Sequence, residues 1–179
     1  MSGTAVKPVS WIGSSYEDFR GFPDAVQDAM GYALHQAQLG AKHDSAKPLK
    51  GFGGAGVLEL VANHVGDKDT DNSIVRGTDN IFADLGYPDA ETHLLKAGLV
   101  TRIQGVISGH NLSQTAAAKR MGLSQPDVSR LLNGQFRDVS VERLIRMLNK
   151  LGCDVDIVIR EHGKRPRKPD TIRLAAVPA

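Results

Sequence analysis

The sequence predicts an α+β protein, with an N-terminal strand-helix-hairpin segment followed by a mainly helical bundle that ends in a strand. Three observations support this class. Apolar residues recur at helical spacing after residue 22, and two β-prone runs flank a glycine-rich loop near residue 53. Two helix-start signals also fall close together after residue 112.

The N-terminal segment is predicted to contain one strand, one helix and a hairpin. PVSWIG is a strand candidate, and the run that follows from residue 22 forms an amphipathic helix ending at Gly40. KPLKG and VLELV are then predicted to pair as a hairpin around FGGAG. The apolar positions that define the predicted face of the helix are Phe22, Val26, Met30, Ala33, Leu34 and Ala37.

GFGGAG, residues 51–56, formally matches the G-x-G-x-x-G pattern of dinucleotide sites. That pattern needs a helix after its glycines to hold the pyrophosphate, whereas β-prone VLELV follows here, so we predict a hairpin loop and no cofactor. No metal site is predicted either, because the histidines form no i, i+4 pair and have no cysteine companions. These histidines are His35, His43, His64, His93, His110 and His162.

Between the two parts, residues 67–79 are polar, charged and without period, and we predict a linker. Residues 67–94 hold 7 acidic and 2 basic residues, whereas residues 95–179 hold 15 basic and 7 acidic residues. The resulting local charge of +8 is typical of a surface that meets phosphate.

The stretch from residue 111 to residue 134 predicts two short helices joined by a tight corner. Ser113 is expected to cap the first helix, Gln114 to Met121, and Gly122 to end it in the left-handed conformation. Ser124 is expected to cap the second helix, which has Pro126 and Asp127 in its first turn.

Five residues of this stretch match the spacing of a helix-turn-helix motif: Gln114, Ala118, Gly122, Val128 and Leu131. From about Leu95 to Leu151 the chain resembles the lambda-repressor-like, or xenobiotic-response-element (XRE), family. The alternative is an ordinary helical hairpin whose glycine merely ends a helix.

After the motif, Ser140 is expected to cap a helix that closes the bundle and ends at Gly152. CDVDIVIRE then alternates, which predicts a strand with Val155, Ile157 and Ile159 on one side. Its partner is either the same strand of a second subunit or the N-terminal hairpin. The basic residues 163–179 are expected to be a flexible tail. The apolar stripe of the closing helix is Val141, Leu144, Ile145, Leu148 and Leu151.

Residues 9–61 are similar to the opening half of RelE/HigB-like toxins of the phage Gp49-like group, small ribonucleases that attack messenger RNA on ribosomes. The resemblance implies further strands with an arginine and a basic tail, and we find none after Val61. Residues 1–66 are therefore interpreted as a truncated toxin segment without enzymatic activity. Four residues around the predicted hairpin would be the candidates to contact RNA, and we interpret them as solvated surface residues. They are Lys42, His43, Lys47 and Lys50.

Residues 80–162 look like an intact HigA-type antitoxin, so the whole chain is predicted to be a sequence-specific, dimeric DNA-binding repressor. The recognition helix is expected at Gln125 to Asn133, with double-stranded operator DNA as the partner. Candidates to read base edges are Gln125, Ser129 and Arg130. Candidates to bind phosphate are Gln114, Asn133 and Arg137.

Two other functions remain open: an RNA-cleaving toxin silenced by its own fused antitoxin, and an antitoxin that neutralises a separate RelE/HigB-like toxin without binding DNA. The single cysteine, Cys153, excludes an internal disulfide and fits a reducing compartment. The N-terminus lacks the apolar core of a signal peptide, and no apolar run is long enough for a membrane span. We therefore expect a cytoplasmic protein.

Overall fold

The computed structural model describes residues 6–43, 46–48, 58–60 and 74–158. The chain divides into two units, Met1–Ala90 with Asn133–Gln135 and Glu91–Leu132 with Phe136–Ala179. Within the described ranges there are seven helices and two antiparallel two-stranded sheets, which confirms the predicted α+β class.

The first unit contains the predicted strand, helix and hairpin together with three elements that the sequence did not predict. β1 pairs with β4, and β2 pairs with β3. The predicted glycine-rich loop of the hairpin falls within residues 49–57, which lie outside the described residues. In chain order the elements are β1 (Ser10–Ile12), α1 (Ser15–Gly21), α2 (Asp24–Gln38), β2 (Ala46–Pro48), β3 (Leu58–Leu60), β4 (Ile74–Arg76) and α3 (Ile81–Asp84).

An aromatic cluster holds β1 and the unpredicted helix α1 together. The ring of Trp11 meets the rings of Tyr16 and Phe19 edge-on, at centroid distances of 5.5 and 5.7 Å. Trp11 and Phe19 are buried, and the Tyr16 hydroxyl donates to the carbonyl of Asp84 at 2.7 Å. These three aromatic side chains therefore connect a short strand, a short helix and the end of α3.

The predicted linker at residues 67–79 is wrong in its second half, because Ile74–Arg76 form strand β4. Trp11 lies opposite Val75 in the antiparallel ladder, and the Gly77 amide donates to the carbonyl of Val9 at 2.7 Å. A lone β1 would leave its backbone groups without strand partners, and β4 satisfies them. Residues 67–73 of the expected linker lie outside the described part of the chain.

Helix α2 was predicted correctly, but its predicted apolar face was not. Of that face only Ala33 is buried. The buried face instead includes Gly31, where a Cβ would lie 3.3 Å from the Leu85 side chain, so the missing side chain allows α3 and the turn after it to pack closely. The buried polar side chains of α2 are Asp28, His35, Gln36 and Gln38.

The second unit is a bundle of four helices: α4 (Ala90–Gly109), which begins at the boundary, α5 (Gln114–Met121), α6 (Gln125–Leu132) and α7 (Val141–Lys150). Buried residues recur along α4 every three or four positions, which places one face of this helix against the others. Of the predicted stripe, Leu144 and Leu148 on α7 and Leu151 directly after it are buried, whereas Val141 and Ile145 are only half-buried. The buried side chains of the bundle include Val100, Ile103, Met121, Phe136, Leu144 and Leu148.

The predicted helix ends of the motif are confirmed. The hydroxyls of Ser113 and Ser140 accept from Ala116 and Arg143 amides at 3.2 Å each, and Gly122 ends α5 at φ +72°. Gly152 also has a positive φ, +93°, directly after α7.

The described part of the predicted C-terminal strand, residues 153–158, does not form a strand. Within it, Ile157 and Val158 are 79% and 67% exposed. A strand needs a neighbouring strand for its backbone hydrogen bonds, and none is paired with this segment in the described ranges. Ile159 and the tail lie outside those ranges, and pairing with a second subunit stays a prediction. None of the described helices combines the length and apolarity that crossing a membrane requires.

Buried His35 lacks a hydrogen-bond partner at either ring nitrogen and lies against the Phe82 ring, at a centroid distance of 5.9 Å. Burial disfavours the charged imidazolium and lowers the pKa of His35 from 6.5 to about 4.

We predict that Gly122→Ala and Gly105→Ala change stability in opposite directions. At the left-handed Gly122 an added Cβ costs about 1–2 kcal/mol, and it would also lie 2.9 Å from Lys150 Nζ. At Gly105, inside α4 with no atom within 4 Å of an added Cβ, alanine should stabilise the helix by about 0.5–1 kcal/mol. Hydrogen exchange of the α5–α7 amides measures both effects. Equal exchange in the two variants would contradict the left-handed corner.

We predict that acidification destabilises the first unit through His35. Between pH 6.5 and about 4 the unfolded chain binds a proton that the folded chain excludes, so stability is lost as pH falls through this window. The loss should be about 2 kcal/mol at pH 5 relative to pH 7.5. His35→Leu should remove that part of the pH dependence, whereas Gln36→Leu, on the same helix, should not. The single tryptophan, Trp11, is buried in this unit, so denaturant unfolding followed by its fluorescence is the measurement.

Candidate DNA-binding surface

Helix α6 is fixed in the bundle by one apolar face. Val128 and Leu131 are buried, as predicted, and Ala118 on α5 is buried as well, so the two helices approach closely. Gln125 and Arg130 are exposed and Ser129 is half-buried. The face of α6 that carries the base-reading candidates therefore remains accessible at its two most polar positions.

The corner between α5 and α6 is held from two sides. The amides of Gly122 and Leu123 both donate to the carbonyl of Ala118, the latter at 2.9 Å. The ammonium group of Lys150, at the end of α7, donates to the carbonyl of Met121 at 2.8 Å. The carbonyls of Ala118 and Met121 in the last turn of α5 are thus hydrogen-bonded, and the direction in which α6 leaves the corner is set by backbone geometry.

Gln114 and Gln125, which begin α5 and α6, are joined directly. The amide nitrogen Nε2 of Gln125 donates to Oε1 of Gln114 at 2.7 Å, and both side chains are exposed. Each amide keeps further hydrogen-bonding groups, because a glutamine offers two donors and one acceptor oxygen. The sequence assigned Gln125 to a base and Gln114 to a phosphate; the structure places the two side chains in one hydrogen-bonded pair.

A second polar chain runs through the first turn of α6. The Ser124 hydroxyl donates to Oδ2 of Asp127 at 2.6 Å and accepts from the Asp127 amide at 3.2 Å. Oδ1 of the same carboxylate accepts from Nη2 of Arg130 at 2.6 Å. The Ser124 hydroxyl, and after it the Arg130 guanidinium, hold the pKa of Asp127 below its usual value.

Sequence reasoning missed this use of Asp127, which it treated only as a first-turn residue. The signal was present, because an acidic and a basic residue three positions apart on a helix lie side by side. The sequence also did not predict that Lys96 donates to the carbonyl of Arg137 at 2.8 Å. This bond connects the loop that precedes α7 to α4.

The remaining phosphate candidates lie on the chain that follows α6. Helix α6 ends at Leu132, one residue earlier than predicted, so that Asn133 comes directly after it. Asn133 is exposed and Arg137 is half-buried. Beside the corner, a cavity of about 390 Å³ is lined in part by the cationic residues Arg143, Arg146 and Lys150. Positive charge therefore lies on α7 next to Gly122 as well as on α6.

The first unit shows a different arrangement of its candidate residues. Lys42 and Lys47 are exposed, but His43 is 3% exposed and meets the Tyr32 ring edge-on at 5.6 Å. Lys50 lies outside the described residues. His35 is buried too, so neither described histidine of this unit is available at the surface as a proton acceptor.

Comparison with known proteins agrees with this division of the chain. Residues 81–160 match a helix-turn-helix domain family, and residues 17–69 match the family of the phage-derived protein Gp49-like. A solved structure described, provisionally, as an XRE family transcriptional regulator is 44% identical; the match covers 50% of this chain and 100% of that one, with a TM-score of 0.47. No curated protein shows significant similarity. Residues 81–160 are thus similar to a helix-turn-helix domain.

Proposed function

We propose that this DNA-binding transcriptional regulator is a sequence-specific repressor of the antitoxin type, HigA-like, attached to a toxin-like segment without enzymatic activity. The observation that carries the proposal is the outward face of α6, where Gln125 and Arg130 are exposed while Val128 and Leu131 hold the helix by its other face. A helix presented in this way can enter the major groove of B-DNA.

The chemistry of the exposed side chains supports base reading. Arginine donates two parallel hydrogen bonds to O6 and N7 of guanine, and glutamine pairs in the same bidentate way with adenine. In this proposal Ser129 adds a third contact from the same helix. Gln114, Asn133 and Arg137 bind phosphates on either side and fix the register of α6 along the groove.

The distribution of charge supports a nucleic acid as the partner. Residues 95–179 carry 15 basic and 7 acidic residues, whereas the chain as a whole has a formal charge of +2. The described cations of this half include Arg130 on α6, Arg137 in the chain that follows α6, and Arg143, Arg146 and Lys150 on α7. Attraction to phosphate would therefore be concentrated on the unit that carries the motif.

The toxin–antitoxin relation rests on the first unit. The match of residues 17–69 to a phage-derived family, beside a helix-turn-helix domain, is the arrangement expected of a toxin-like segment fused to its regulator. In the proposal the protein acts as a homodimer, because repressors of this kind read two half-sites one helical turn apart. A separate RelE/HigB-like toxin is a second proposed partner.

We further propose that the first unit does not cleave RNA. Acid-base cleavage needs a proton acceptor, a proton donor and a cation within reach of the substrate. Both described histidines of the unit are buried, and His35 is uncharged because its pKa is about 4.

One observation favours the alternative of a self-inhibited ribonuclease. The sequence suggested that no strand follows Val61, yet β4 does follow and ends at the exposed Arg76. An arginine on a later strand is a feature that the toxin resemblance implies for RNA binding. The alternative therefore needs a direct test.

For specificity, we predict different effects of Arg130→Ala and Arg137→Ala. Loss of a guanine-reading Arg130 should cost about 1–3 kcal/mol on the best site and relax preference at one base pair. Loss of a phosphate-binding Arg137 should weaken binding to all duplexes alike and reduce the salt slope by about 1. Binding to a selected site and to its single-base variants at several salt concentrations measures both. Identical, sequence-independent losses in the two variants would contradict the assignment.

For the toxin-like unit, we predict no effect on growth or on messenger RNA. The first test is the full chain with Gln125→Ala and Arg130→Ala, which removes the proposed base contacts. The second is residues 1–90, since the 1–66 boundary suggested by the sequence would remove β4 and α3. Ribosome-dependent cleavage by either would establish the alternative instead, and Lys42, Lys47 and Arg76 would then be the residues to substitute.

A further inference from the structure

We propose that Asp127 is a positioning residue for base recognition: it directs the Arg130 guanidinium toward one base pair and away from the phosphates. The inference rests on the proposed function, in which Arg130 reads a base. It adds a residue that acts through Arg130 and makes DNA binding more selective.

The carboxylate of Asp127 is itself fixed in place. One oxygen accepts the Ser124 hydroxyl at 2.6 Å, and the other accepts Nη2 of Arg130 at 2.6 Å. Ser124 in turn accepts the Asp127 amide at 3.2 Å, which anchors the pair to the backbone at the start of α6. A guanidinium held by this carboxylate is therefore oriented relative to the axis of the recognition helix.

The bond to Asp127 leaves Arg130 able to read a base. A guanidinium has five N–H donors in a rigid plane, and guanine needs two of them. Without the carboxylate, an exposed arginine of this length would sample many rotamers and would be drawn to the nearest phosphate. Fixing one edge of the group reduces the conformational entropy lost when the other edge meets a base.

The charge of Asp127 acts in the same direction. A carboxylate beside the guanidinium repels a phosphate that approaches the same group, whereas the donor-rich edge of Arg130 still suits the acceptors of guanine. Asp127 thus lowers attraction to DNA of any sequence while it preserves the contact that discriminates. In this proposal selectivity is gained at some cost in total affinity.

The Asp127–Arg130 ion pair contributes little to the free energy of unfolding. The side chains of Arg130 and Asp127 are 62% and 44% exposed, and exposed ion pairs contribute only a little to stability. A second pair of the same kind provides a matched control. Arg146 and Glu142 meet at 2.6 Å with both side chains 73% exposed, on α7 and so on a different helix from the base-reading candidates.

The test uses the full chain and a duplex that it selects from a random DNA pool. For each variant we measure discrimination, defined as the ratio of affinities for that duplex and for its single-base variants. Arg130→Ala identifies the base pair that Arg130 reads, where the ratio should fall about 5- to 150-fold. Asp127→Asn keeps an acceptor for Ser124 but removes the charge, and should lower the same ratio about two- to fivefold. Circular dichroism establishes that each variant is folded.

Two comparisons separate positioning from other roles. In the Arg130→Ala background, Asp127→Asn should leave discrimination at that base pair unchanged, because the group that it directs is absent. Glu142→Gln removes the same charge and should raise affinity for every duplex alike, with no change in any ratio.

The outcomes distinguish this inference from the function on which it rests. If Arg130→Ala changes no ratio, Arg130 does not read a base and the base assignment fails. If Arg130→Ala lowers the ratio at one base pair but Asp127→Asn leaves that ratio unchanged, only the positioning role of Asp127 is overturned. An Asp127→Asn effect that persists without Arg130 would also overturn it, since Asp127 would then contact a base itself or act through the helix.

Discussion

The left-handed turn at Gly122 is the constraint on which the binding surface depends. Every outward residue of α6 owes its direction to the angle at which the chain leaves α5, and that angle is set where Gly122 and Leu123 both donate to Ala118. Lys150 completes the corner from α7 by its bond to the Met121 carbonyl. A small backbone feature thus couples three helices and sets the direction of the exposed face of α6.

The sequence predicted the helices of the second unit well because their determinants are local. Serine caps, a glycine at a helix end and apolar residues three or four positions apart each act within one or two turns. The caps at Ser113 and Ser140 and the turn at Gly122 were therefore readable residue by residue. Within the candidate site, the same reasoning found the exposed residues but not the Asp127–Arg130 pair, because it assigned each residue a single role.

The first unit was predicted less well because its contacts are distant in sequence. Strand β1 is only three residues long, and its partner β4 comes after a polar stretch that resembles a linker. Pairing of this kind depends on which backbone N–H and C=O groups still need hydrogen-bond partners in the folded unit, and no local sequence pattern shows this. The face of α2 was wrong for a related reason. Leu85 and Phe82 pack against Gly31, which has no side chain. The face of α2 that contains Gly31 is therefore buried, together with the polar residues next to it.

The two exposed polar side chains of α6 that are proposed to read bases are already hydrogen-bonded to other side chains of the protein. Gln125 is paired with Gln114, and Arg130 is paired with Asp127, at 2.7 and 2.6 Å. A ligand that offered only charge would have to compete with these bonds, whereas a base edge can engage the donors that they leave free. Phosphate contacts depend steeply on salt and carry no sequence information, while contacts to a base edge made by side chains already held in place depend on geometry. In the proposed function, the balance between base and phosphate contacts on this surface is therefore set as much by the carboxylate and amide partners on the protein as by the cations themselves.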